Sequence, residues 1–174
     1  MNTPRKALII IDVQNDYFPN GNLPLLNADK TLENIETAIT KANQQEIPVL
    51  LIQHISNPEQ GETPIFNQGT AGVEIHPNIL SDAPTAKIVS KEFADSFMQT
   101  DLENILNELK VEELLICGMM TQHCVTYTTL SSQAEKYKLS ILADCCTTVN
   151  ETVHSFALHG LSSKAEIVTT SNAF

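Results

Sequence analysis

The chain has 174 residues, 42% of them hydrophobic and 18% charged, with a formal net charge of −11. That length suits one domain over residues 1–174 with a proper buried core, and the composition excludes a disordered chain. The acidic excess argues against a nucleic-acid or anionic-membrane partner; with no apolar stretch of about 18 residues and no N-terminal signal pattern, the expected location is cytoplasmic.

The first predicted element is residues 7–11, a continuous apolar run of the kind found in a strand buried on both faces. Asp12 follows at once, where open α/β sheets place their ligands; Asp16, four residues further on, is the weaker candidate for the same role. Residues 29–45 space Leu32, Ile35, Ala38, Ile39 and Ala42 as one helix face, and residues 48–53 read as an apolar strand. Residues 56–83, rich in Pro, Gly, Asn and Gln, carry no regular signal. A loop that long is usually functional or mobile, and this one can fold over a pocket or against a partner subunit.

Ile88 and Val89 predict a short strand with Lys91 behind it. A lysine there can carry its ammonium into a pocket while its stem packs on Phe93 and Phe97; Lys87 reads as solvated. A helix over 99–109 leads to a strand over 111–117 that ends at Gly118. A helix over 121–138, with Thr121 as N-cap, then places Cys124 in its first turn. There the free N–H groups and helix dipole can lower a thiol pKa from about 8.5 to roughly 3.5–7.5. A strand over 139–143, a helix over 151–158 ended by Gly160 and a strand near 165–169 complete the chain.

This βα alternation predicts an α/β fold: a three-layer, doubly wound, mostly parallel six-stranded sheet with helices on both faces, Rossmann-like. The four cysteines, Cys117, Cys124, Cys145 and Cys146, form no CxxC and two are adjacent, so they read as reduced thiols rather than a disulfide framework or zinc pattern.

Asp12, Lys91 and Cys124 thus follow three separate strands, in the order Asp, Lys, Cys. In that order, and in the segments DVQNDYF, KEFADSFMQTDLENIL and GMMTQHCVTYTT, the chain resembles the isochorismatase-like cysteine hydrolases over nearly its whole length. The resemblance implies that fold and a catalytic triad: Asp12 as general base, Cys124 as nucleophile and Lys91 holding the charges beside both. It also implies an oxyanion hole from the N–H groups of Met120 and Cys124, a cis bond between Met119 and Met120, a small-molecule substrate and a homo-oligomer, dimer or tetramer.

Gln14, Tyr17, Phe18, Phe93, Phe97 and His123 are candidate substrate-pocket residues. For the aromatics a packing role stands beside the pocket role, and for His123 an orienting hydrogen bond stands beside substrate contact. Nicotinamidases of the superfamily bind a metal through an Asp-x-His pattern after the second strand. Here that place reads Ile52, Gln53, His54, Ile55, and Gln53 is a poor replacement for an anionic ligand. No metal and no other cofactor is therefore expected; His54 reads as a hydrogen-bonded strand-end residue and His76 as a scattered histidine. Isochorismatases proper cleave a vinyl ether without a cysteine nucleophile, so Cys124 favours C–N hydrolysis of a small amide, ureido or carbamoyl compound. Isochorismate-type vinyl ether hydrolysis and a thiol redox or binding protein using Cys124 are the alternatives.

Overall fold

The computed structural model describes residues 5–61 and 63–174. The apolar runs become six strands: β1 (Lys6–Ile11), β2 (Val49–His54), β3 (Lys87–Lys91), β4 (Glu113–Met119), β5 (Lys138–Thr147) and β6 (Glu166–Val168). They form one sheet in the order β3-β2-β1-β4-β5-β6, and every adjacent pair is parallel. The two central strands are apolar and buried throughout residues 7–11 and 114–119, as a sheet covered on both faces demands.

Among the described residues six helices surround the sheet: α1 (Ala28–Gln44), α2 (Pro77–Asp82), α3 (Leu102–Glu108), α4 (Thr126–Thr129), α5 (Glu151–Leu161) and α6 (Thr170–Ala173). The chain winds from β1 toward β3 in one direction and from β4 toward β6 in the other. Right-handed crossovers running in opposite directions place helices on both faces and open a crevice between β1 and β4 at their carboxyl ends. Gly118 holds those two strands together there: its φ is +121°, and a Cβ would lie 2.0 Å from the Ile11 carbonyl oxygen. No helix among the described residues is long and apolar enough to cross a membrane.

Four local expectations are corrected. The helix over 121–138 is cut short. Residues 121–125 form a π-helical turn, α4 adds only four residues, and a 3₁₀ turn at Ser132–Ala134 leads into β5. The reason is hydroxyl competition with the backbone: Thr126 Oγ1 donates to the Thr121 carbonyl and Thr129 Oγ1 to that of Val125, both at 2.7 Å, and Ser131 then turns extended. Thr121 is not a side-chain cap; its hydroxyl pairs with His154 Nδ1 at 2.9 Å. Gly160 does not stop α5, which continues through it to Leu161. Residues 56–83 contain 3₁₀ turns at Pro58–Gln60 and Ala71–Val73 and the helix α2, which opens on Pro77, where a missing N–H costs nothing.

Candidate active site

The carboxyl ends of β1, β2 and β3 and the turn after β4 deliver four side chains to one point. Asp12 leaves β1 in the left-handed region at φ 51°, its N–H held by the Ile52 carbonyl at 3.0 Å. Lys91 is the last residue of β3, in register with His54 at the end of β2. Cys124 lies in the turn after β4, which the cis peptide Met119–Met120 introduces. The Lys91 ammonium is 2.8 Å from Asp12 Oδ2, 3.1 Å from His54 Nδ1, 3.1 Å from the Phe93 carbonyl and 3.2 Å from Cys124 Sγ. The Asp12 and Lys91 side chains are fully buried, and Cys124 is 1% exposed.

Burial and charge set the protonation states. The His54 imidazole is pushed down to about 4, first by burial and then by Lys91, so it is neutral near pH 7 and its Nδ1 accepts from the ammonium. Burial pulls Lys91 down, but the Asp12 carboxylate outweighs it and leaves the amine raised and charged. The Cys124 thiol is pushed up, first by burial and then by Asp12, against the opposing pull of Lys91. The acidic thiol expected from a helix N-terminus is therefore corrected: a four-residue α4 supplies little dipole, and the surroundings keep the proton on sulfur. Asp12 Oδ1 is buried without a hydrogen-bond partner, while the carboxylate and the sulfur each offer an atom within 4.8 Å of the other.

Among the candidate pocket residues, only Phe93 lines the cavity beside this cluster, and of the cluster itself only Lys91 does. That cavity, of about 330 Å³, is walled by Ser56, Asn57, Pro58 and Gln68 on one side and by residues 90–93 on the other, Lys91 included. Part of the 56–83 segment thus forms pocket wall. Gln14 is framework: its amide accepts from the His54 N–H and donates to the His54 carbonyl, both at 2.8 Å, and so fixes the end of β2. Tyr17 packs edge-on against Phe66, its phenol kept protonated by burial and by Asp12. Phe18 packs on His76 and Phe97 stacks on Tyr137. His123 is exposed, with Nδ1 3.4 Å from Cys124 Sγ. Asp16 anchors the pocket segment, accepting from Phe66 N at 2.7 Å and Asn22 N at 3.2 Å.

Sequence reasoning missed His54 as a member of the cluster. One signal was available: parallel registration of β2 and β3 sets the last residues of the two strands side by side.

Oxygen, nitrogen and sulfur donors of Asp12, His54 and Cys124 lie within 4.8 Å of one another, a set suited to zinc by chemistry. The Lys91 ammonium, however, sits within 3.2 Å of an atom of each, so the position a cation would take is filled by the protein's own charge. Gln53 spends its amide on the Val73 carbonyl, and His76 accepts from Asn78 N. The residues do not fit a resident metal ion.

The isochorismatase domain matches residues 6–173. The uncharacterized isochorismatase family protein YddQ of Bacillus subtilis is 34% identical, over 97% of both chains. The nicotinamidase of Acinetobacter baylyi is 28% identical, over 83% of this chain and 82% of its own. The structure of the pyrazinamidase of Pyrococcus horikoshii in complex with zinc aligns at a TM-score of 0.79 and 26% identity, covering 95% of this chain and 99% of that one.

Proposed function

The chain belongs to the isochorismatase family and is a hydrolase of that family, and we propose that it cleaves a C–N bond of a small amide, ureido or carbamoyl compound through a thioester on Cys124. The observation that carries the reading is the Lys91 ammonium within hydrogen-bond reach of both Asp12 and Cys124, beside an Asp12 oxygen with no other partner. That oxygen is the base. It takes the Cys124 proton as sulfur attacks the carbonyl carbon, and Lys91 stabilises the charge on sulfur during the transfer.

The new C–S bond leaves negative charge on the carbonyl oxygen, which the N–H groups of Met120 and Cys124 receive. Asp12 returns the proton to the leaving nitrogen as the C–N bond breaks. Water then adds to the thioester, giving its proton to Asp12, and C–S cleavage releases an acid and restores the thiol. A raised thiol pKa suits this order, because the proton moves only when substrate is in place. The same burial counts against the redox alternative, since a sensor cysteine is accessible and acidic.

Nicotinamidase activity in a relative supports an amide-type substrate. The zinc of the pyrazinamidase is not carried over, because the Lys91 ammonium lies among the Asp12, His54 and Cys124 donors of this chain and Gln53 offers no anionic ligand. The cavity of about 330 Å³ suits a small molecule, and the enzyme is read as cytoplasmic and assembled from copies of itself.

The test is ammonia release from a panel of small amides, ureides and carbamoyl compounds, with isochorismate alongside. At least one C–N substrate is expected to turn over, with Cys124→Ala and Asp12→Asn inactive. Efficient isochorismate cleavage that survives Cys124→Ala would instead favour the vinyl ether reading.

A further inference from the structure

The loops at the carboxyl edge of the sheet hold no Lys or Arg. Residues 12–27, 55–76, 92–101, 120–135 and 148–150, which follow β1 to β5 in turn, lack both, while Glu59, Glu74, Glu92, Asp95 and Asp101 lie among them. Of the 10 Lys and Arg residues, Lys30 and Lys41 are in α1 and Lys91 closes β3. The others open or precede strands, with Lys6, Lys87 and Lys138 at the first positions of β1, β3 and β5. Because every adjacent strand pair is parallel, those residues gather at the amino edge, opposite the cavity.

The cavity of about 330 Å³ has two charged residues in its wall, Lys91 and Glu92. The Lys91 ammonium is used up: its three N–H bonds face acceptors on Asp12, His54, Phe93 and Cys124. His54 and His123 are both held below their ordinary value by burial and by Lys91, so neither adds a charge near pH 7. Glu92 Oε2 accepts from Asn57 Nδ2 at 3.0 Å, which ties it to the opposite wall. No cationic side chain among the described residues pairs with it. Its charge is felt inside the cluster, where it favours the proton on His54. An anionic substrate meets an acidic approach and no free partner, whereas a cation is drawn in and finds a carboxylate.

We propose that the substrate carries a positive charge beyond its scissile bond, and that Glu92 is the residue that selects it by pairing with an ammonium or similar cation. Glu92 follows Lys91 directly, so a molecule only a few bonds long spans from the reacting cluster to that carboxylate. The class is a small cationic amide, ureido or carbamoyl compound rather than a carboxylate-bearing one. The inference rests on the hydrolase reading for where the substrate sits.

Propanamides that bear at the far carbon a trimethylammonium group, the uncharged tert-butyl group of the same shape, or a carboxylate (succinamate) test it. Their dissociation constants are read from the His54 and His123 imidazole NMR signals of Cys124→Ala, which forms no thioester. The cation is expected to bind at least about fivefold tighter than its uncharged isostere, with succinamate weaker than both. Glu92→Gln keeps an oxygen for Asn57 and removes the charge; on the same background it should bring the cation and the isostere within about twofold. Raising salt from about 20 to about 500 mM should also shrink the cation's advantage. Equal binding of cation and isostere, tightest binding of succinamate, no binding of any of the three, or a preference that survives Glu92→Gln overturns the proposal. Ammonia release by the wild type is read separately. A cation preference without release would remove the hydrolase chemistry and keep the charge recognition, and release without preference would do the reverse.

Discussion

Replacing Lys91 with methionine keeps most of the apolar stem and removes the cation from the centre of the cluster. Asp12 Oδ2 loses its 2.8 Å ion-pair partner in a fully buried setting, and Oδ1 is already without one. Breaking a buried pair from one side costs about 3–5 kcal/mol. For a chain of this size each kcal/mol is worth about 2–4 °C, so a fall in melting temperature on the order of 10 °C is expected. Asp12→Asn alone is also destabilising, but the double variant leaves neither charge stranded. Its loss should fall short of the summed single losses by about 2 kcal/mol.

Urea unfolding of the three variants and the wild type at one pH measures this coupling. An NMR titration of His54 reads the same cation independently: in Lys91→Met its pKa rises from about 4 only part of the way to 6.5, because burial is the larger cause of the shift. Single and double effects that add within about 0.5 kcal/mol, or a His54 that titrates unchanged, would refute the reasoning.

Two further outcomes follow from the same geometry. His54 binds its proton more weakly folded than unfolded, so stability is fully present above about pH 6.5 and falls as pH drops toward 4. The loss is limited to about 2–3 kcal/mol given the partial exposure of the ring; urea midpoints across that range check it, and His54→Gln should flatten the curve. Gly118→Ala places a methyl against the Ile11 carbonyl at a backbone angle that disfavours it, and is expected to cost at least about 3 kcal/mol in a thermal melt. A neutral result would mean that β1 and β4 do not approach so closely.

The strands were legible because a parallel sheet covered on both faces writes its central members as unbroken apolar runs, as at Ala7–Ile11 and Leu114–Cys117. Asp12, Lys91 and Cys124 were legible because each stands at or just past a strand end in a recognisable order. His54 was not, since its role comes from β2–β3 registration and from a neutral imidazole that only burial produces. The thiol shift at Cys124 likewise depends on tertiary burial that helix position does not report. The 121–138 helix was overread because threonine hydroxyls at Thr126 and Thr129 compete for backbone carbonyls without disturbing the sequence pattern. For α2, Pro77 at the first helical position was a signal present but masked by the surrounding turn formers.

The central claim is covalent catalysis by Cys124, and intact-protein mass spectrometry of enzyme quenched during turnover of a C–N substrate tests it most directly. The account predicts an added acyl mass that maps to Cys124, disappears as substrate is exhausted and is absent from Cys124→Ser and Asp12→Asn. Sustained turnover by Cys124→Ala, or an acyl group mapped to Cys117, Cys145 or Cys146 instead, would contradict it.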